Sequence, residues 1–281
     1  MKTIQWFPGH MTKAMRMMKE LVPLADGIIY VLDARCPAAS FNKKLIDMAG
    51  SKPVLYVLNK ADLADERVDA LMKLMGENAV KINAANSNSK RDITGAIEKL
   101  IQQKREKSIR KGYNKTFRFM VVGVPNTGKS TVINLLAGGK RTATGDRAGV
   151  TRGKQWIRLD GFELLDTPGT MPPAFENQKL ALHLAYVGSI NDDILDLDDI
   201  ALELLGELYE KYPVRLEERY GITGGSKIEM LDCVCKRRGF ILKGGEYDYE
   251  RAERAVIDDF RKGRLGRITL DSTGDMSGLM L

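Results

Sequence analysis

Cysteine, histidine and tryptophan are scarce in this chain, with three, two and two copies in 281 residues. Cys36, Cys233 and Cys235 are odd in number and lack zinc-like spacing, which argues against a disulfide framework or a structural metal site. We expect reduced, packed thiols and no disulfide partner. No apolar run approaches the roughly 20 residues needed to cross a bilayer, and the N-terminus lacks the apolar core of a secretory signal. The expectation is a cytoplasmic chain without a membrane partner. Internal repeats and low-complexity tracts are also missing. What remains is 43% hydrophobic and 29% charged, the balance of an ordinary folded protein.

The charge is unevenly spread. The net value is +7 overall, but residues 1–174 carry 29 Lys and Arg against 16 Asp and Glu, leaving 15 against 21 for residues 175–281. Residues 236–267 reverse the local trend, with 10 basic side chains against 6 acidic ones. A polyanion would meet the first part and this distal segment rather than the acidic stretch between them.

The strongest local signal begins at an apolar run, Phe117 to Val122, which reads as a buried strand. It is followed by Gly123-Val124-Pro125-Asn126-Thr127-Gly128-Lys129-Ser130, a match to G-x-x-x-x-G-K-[ST], and by a helical pattern over Lys129 to Ala137. Glycines let successive backbone N–H groups turn inward around a polyphosphate, and the helix start adds its positive dipole end. Lys129 would reach the β/γ-phosphates and Ser130 would offer a hydroxyl to Mg²⁺. Asn126, Thr127, Gly128 and Thr131 complete the expected phosphate contacts.

A second motif selects the base. Asn59-Lys60-Ala61-Asp62 ends the apolar strand Val54 to Leu58 as N-K-x-D. An Asp carboxylate can accept two hydrogen bonds from the guanine N1–H and exocyclic amine, a donor pair adenine lacks. Asn59 would reach the guanine N7, and the Lys60 stem would lie along the ring. Asn83 and Ala84, after the next short strand, are expected to support the base through backbone contacts.

Two further pieces belong to the same site. Asp166-Thr167-Pro168-Gly169 ends a strand as D-x-x-G, where Asp166 would hold Mg²⁺ through water and the Gly169 N–H would sense the γ-phosphate. Gly145 to Lys154 is a glycine-rich basic loop whose Thr151 is the candidate second Mg²⁺ ligand.

The order is unusual. In most GTPases the phosphate loop comes first and N-K-x-D last, whereas here N-K-x-D precedes both other motifs. Binding depends on where strand ends lie in space, so cutting and rejoining the chain at surface loops preserves such a site. Together with Trp6-Phe7-Pro8-Gly9-His10-Met11 and Asp33-Ala34-Arg35-Cys36-Pro37, the motifs resemble the YlqF/RbgA family of circularly permuted ribosome biogenesis GTPases, nearly end to end. The departures are Asn83, Cys36 and Thr170, the last standing directly after D-T-P-G.

The resemblance implies a GTP hydrolase whose partner is the large ribosomal subunit precursor, with its rRNA and ribosomal proteins, acting late in assembly. The alternative kept open is a GTP-dependent binding switch for a non-ribosomal RNA or protein. Thr170 is too short to orient the attacking water as a Gln would. Resemblance places His10 in that role, while His183, in the apolar stretch Leu180 to Val187, reads as a packed helix residue. Asn126 matches the asparagine with which K⁺-stimulated relatives coordinate the ion, making it the candidate K⁺ ligand.

Strand and helix patterns alternate through residue 166, predicting an α/β fold with a doubly wound, mostly parallel sheet. Asp160-Gly161 marks a hairpin and an antiparallel edge. Lys104 to Lys115 reads as a basic connector, most simply the solvated end of the helix over Ile93 to Gln102, with RNA contact as the second reading. After Met171-Pro172-Pro173 the pattern turns helical, with an apolar face over Leu197 to Tyr209 and a capping box at Ser226 to Glu229. The expected domains are a permuted GTPase domain over residues 1–174 and a small all-α domain over residues 175–281.

Overall fold

The computed structural model describes residues 3–4, 9–140, 156–172 and 175–280, apart from the side chains of His10 and Met280. Thr151 and the His10 side chain therefore lie outside the described residues. Six strands form one sheet: β1 (Gly27–Asp33), β2 (Val54–Asn59), β3 (Ala79–Lys81), β4 (Phe117–Val122), β5 (Trp156–Arg158) and β6 (Phe162–Asp166), in the order β3-β2-β1-β4-β6-β5. All pairings are parallel except β5 with β6, which turns back at Asp160-Gly161 and supplies the expected antiparallel edge. All seven residues of β1 are buried, as its continuous apolar run requires of a strand covered on both faces.

Two helical layers cover the sheet. On one face α4 (Ser89–Arg110) and α5 (Lys129–Ala137) pack Ile93, Ile97, Ile101, Val132 and Ile133 against Ile29, Val31, Leu55 and Val121. On the other, α1 (Gly9–Leu21), α2 (Lys43–Ala49) and α3 (Val68–Leu74) contribute Met18, Leu45, Val68 and Leu71. α4 continues to Arg110, eight residues past the expected helix end at Gln102, so most of the basic connector is a solvated helix end. Its Lys, Arg, Glu and Gln residues are strong helix formers, so a solvated face costs it nothing.

The rest of the chain is helical: α6 (Gln178–Tyr186), α7 (Leu197–Lys211), α8 (Pro213–Tyr220), α9 (Lys227–Arg238), α10 (Tyr249–Arg261) and α11 (Thr273–Met280). Ile200, Leu204, Leu205 and Leu208 of α7 meet Leu184, Val256 and Phe260 in a third core. Met11, Cys36 and Val124 from the sheet region join it, so the two parts of the chain share apolar contacts. Ser226 accepts from Glu229 N, and the Glu229 carboxylate accepts from Ser226 N, completing the expected capping box. α11 turns back onto α3 and places Met276, with no exposed surface, in the sheet's own core. Burial of that side chain is worth about 2 kcal/mol. Cys36, Cys233 and Cys235 are free thiols, and no helix among the described residues is long and apolar enough to cross a membrane.

Candidate functional site

β4 pairs with β6 so that Val121 lies beside Asp166, and with β1 so that Val122 lies beside Tyr30. The chain leaves β4 at Gly123 while β1 runs on to Asp33, so the loop after β4 passes alongside the end of β1. Gly123 has φ +151°, and a Cβ there would stand 2.3 Å from the Val31 carbonyl oxygen, so only glycine fits. Thr127 Oγ1 and Lys129 Nζ both donate to the Val124 carbonyl, at 3.1 and 2.9 Å, folding the loop over the start of α5. The start of α5 brings the positive end of its helix dipole to this loop, a setting that suits an anion.

Lys129 is buried, and its charge has only partial compensation. Desolvation pulls its pKa down to about 8; Asp166 works in the opposite direction and Lys60 in the same one. A phosphate would supply the missing negative charge. Ser130 Oγ donates to Asp166 Oδ2 at 2.8 Å, bringing a hydroxyl and a carboxylate together at the mouth of the loop. These are hard oxygen donors of the kind Mg²⁺ takes, and the pair fits that ion. A Cβ on Gly169 would lie 2.6 Å from Pro125 N and 2.7 Å from Pro125 Cα. The D-T-P-G backbone thus presses on the phosphate loop, and Thr170 N donates to the Gly123 carbonyl at 3.3 Å.

The base-side loop is tied to the phosphate loop by one amide. Asn59 Nδ2 donates to the Thr127 carbonyl at 2.9 Å, while Asn59 Oδ1 accepts from Ala84 N at 2.9 Å. The Asn59 side chain, read as a contact to guanine N7, is therefore engaged in holding three loops in register. Gly128 has φ +91°, and a Cβ there would stand 2.3 Å from Asn59 Nδ2, so conformation and space both demand glycine. Lys60 Nζ donates to the Asn126 carbonyl at 2.6 Å and pairs with Asp33 Oδ2 at 2.9 Å. The short turn Ala61–Leu63 then carries Asp62 to the surface. Asn83 Oδ1 accepts from Ala85 N at 2.9 Å, shaping the third loop, and Thr131 sits half-buried in the first turn of α5.

Asn59, Lys60, Ala61, Asp62, Asn83, Ala84, residues 126–131, Asp166 and Gly169 thus converge on the carboxyl end of the sheet. Two contacts there were not foreseen. Arg35, 2% exposed, grips Asp33 with Nε and a terminal nitrogen at 2.9 and 2.8 Å. Burial pushes the Asp33 carboxyl up, but Arg35 and Lys60 outweigh it and hold the group well below the usual range. The second is Asn126, whose Nδ2 donates to the Gly188 carbonyl beyond α6. No local pattern announces either, because their partners are set by packing. A separate cleft of about 1140 Å³ lies between residues 192–200 and 249–261. Its wall includes Asp192, Asp193, Asp196, Asp198, Glu250 and Glu253, which disfavours phosphate.

A family model described as 50S ribosome-binding GTPase matches residues 118–213. The chain is similar to Ribosome biogenesis GTPase A of Bacillus cereus, 42% identical over 277 residues that cover 96% of this chain and 94% of the relative. It is also similar to the protein of that name from Thermotoga maritima, 30% identical over 98% of this chain and 96% of the relative. Among solved structures, GNP-bound YlqF from T. maritima superposes with a TM-score of 0.64 at 26% identity, covering 93% of this chain and 98% of that one.

Proposed function

The chain belongs to the ribosome biogenesis GTPase A family of GTP hydrolases, and from that premise we propose that it binds the large ribosomal subunit precursor and promotes a late step of its assembly, GTP hydrolysis timing its release. The observation that carries this reading is near full-length similarity to those relatives in a chain whose phosphate, base and D-T-P-G loops converge on one site. The basic surplus of residues 1–174 suits an rRNA partner, and ribosomal proteins would complete the surface it meets. Such work belongs in the cytoplasm.

In this reading residues 1–174 form the nucleotide-binding domain and residues 175–281 the helical one, with α11 returning to the first. Asp62 takes the guanine edge, and Lys129 with the α5 N-terminus takes the phosphates. Ser130 and Thr151 hold Mg²⁺ directly and Asp166 holds it through water. Held there, Mg²⁺ would supply positive charge beside the phosphates. The Gly169 N–H meets the γ-phosphate, so loss of that group releases the segment leading into α6. His10 orients the attacking water, and Asn126 contributes to a K⁺ site.

Depletion of the protein tests the assembly role. A ribosome profile from depleted cells is expected to accumulate incomplete large subunits, restored by the wild-type chain and not by Lys129→Ala. An unchanged profile contradicts it and leaves a GTP-dependent switch for some other RNA or protein.

A further inference from the structure

The phosphate loop is fastened to the helical part of the chain at two successive residues. Asn126 Nδ2 donates to the Gly188 carbonyl, and Ser189 Oγ donates to the Pro125 carbonyl at 2.7 Å. The turn carrying both partners is itself held by one guanidinium. Arg261, the last residue of α10, donates Nε to the Tyr186 carbonyl at 3.0 Å and a terminal nitrogen to the Ala185 carbonyl at 2.9 Å. The same group forms a two-pronged pair with Asp192 at 2.6 and 2.7 Å. Gly188 has φ +74°, and a Cβ there would meet Arg261 Cζ at 3.2 Å, so the guanidinium packs directly against the turn.

The contacts close into a ring. The Arg261 carbonyl accepts from Arg35 at 3.3 Å, Arg35 grips Asp33, Asp33 pairs with Lys60, and Lys60 donates to the Asn126 carbonyl. Asn126 is thereby held at both its backbone and its side chain, and it needs holding, because it is a non-glycine residue at φ +60°.

We propose that Arg261 is a positioning residue for the nucleotide site, acting through the 185–189 turn to hold Asn126 and the phosphate loop in their binding geometry. Loosening Arg261 removes the fixed acceptor from Asn126. The strained loop residue then relaxes toward ordinary backbone angles and draws the neighbouring N–H groups away from the phosphates. By reciprocity a bound nucleotide tightens α6 against α10, so a partner that moves the helices changes nucleotide affinity. The inference rests on the guanine-nucleotide site and is independent of the ribosomal partner.

The test is a double-mutant cycle read by dissociation of a fluorescent GDP from wild type, Arg261→Met, Asn126→Ala and the double variant, with thermal melting measured alongside. Each single change is expected to speed dissociation by about threefold or more, with the double variant no faster than the faster single one. Asp192→Asn, which loosens the guanidinium while leaving its side chain in place, is expected to shift dissociation in the same direction and serves if Arg261→Met does not fold. Multiplying effects in the double variant, or an unchanged dissociation rate in Arg261→Met or Asp192→Asn, would overturn the proposal and leave Arg261 a structural residue. Failure of the wild type to bind guanine nucleotide would instead defeat the site assignment, and the inference with it.

Discussion

Lys60 and Asn126 are hydrogen-bonded to each other, Nζ to carbonyl at 2.6 Å, and among the described residues they are the two non-glycine residues with left-handed backbone, at φ +59° and +60°. The strained positions of the base loop and the phosphate loop therefore share one contact, and Lys60 braces it from Asp33. Lys60→Met removes both interactions and leaves the buried Asp33 carboxylate with Arg35 alone. Nucleotide affinity is expected to fall about tenfold or more, the scale of one charged hydrogen bond in a buried setting. Equilibrium titration with GDP checks this, and unaltered affinity counts against the coupling of the two loops.

Base choice is assigned to Asp62. Exchanging Asp62 for Asn replaces one acceptor oxygen with a donor amide, which opposes guanine's donor pair but suits the 2-oxo group of xanthine. GTP affinity is expected to drop by orders of magnitude while xanthosine triphosphate binding rises. Competition binding with the two nucleotides distinguishes the outcomes, and wild-type GTP affinity in Asp62→Asn would place the base elsewhere.

A buried ionic relay in the helical part sets a pH dependence. His183 has no exposed surface; Nδ1 lies 2.5 Å from Asp271 and Nε2 lies 2.8 Å from Glu207. Desolvation lowers its pKa, but hydrogen bonds to the accepting carboxylates of Asp271 and Glu207 prevail and raise it to about 8. The folded value exceeds the unfolded one of about 6.5, so folding takes up a proton. The stabilisation is fully present below pH 6.5 and is lost as pH rises through 8, an effect on the order of 2 kcal/mol. Denaturant unfolding between pH 6 and 9 is expected to show this decline, and His183→Gln to flatten it. An equal slope in the variant would assign the dependence to other groups.

The proposed K⁺ site predicts faster GTP turnover in KCl than in NaCl at equal ionic strength. Asn126→Ala is expected to remove the difference. Equal turnover of the wild type in the two salts rejects the site.

Legibility in the sequence followed the range of the interactions. Gly123 to Ser130, Asn59 to Asp62 and the Ser226 capping box are short contiguous patterns, so their spacing announces them even where their side chains reach distant loops. The sheet was readable because β1 is a continuous apolar run and β4 is apolar but for the exposed Arg118, as strands covered on both faces tend to be. α11 was not, since Met276 is buried only because the chain's end returns to α3. The engagement of the Asn59 amide by Thr127 and Ala84 exists only once three loops meet, so the N-K-x-D spacing announces a contact to the base and not this second role. Arg35 and Arg261 stand 226 positions apart, and nothing in either neighbourhood implies the other.

GTP chemistry at this site is proposed to answer to the large subunit. Single-turnover GTP hydrolysis, measured while purified large or small ribosomal subunits are titrated in, tests it most directly. His10→Ala in the same assay is expected to bind GTP and subunits normally and to lose the stimulation, as a water-orienting side chain requires. The wild type is expected to be accelerated by large subunits alone, the effect weakening as salt is raised. An identical rate with and without large subunits, or equal stimulation by small ones, would contradict it.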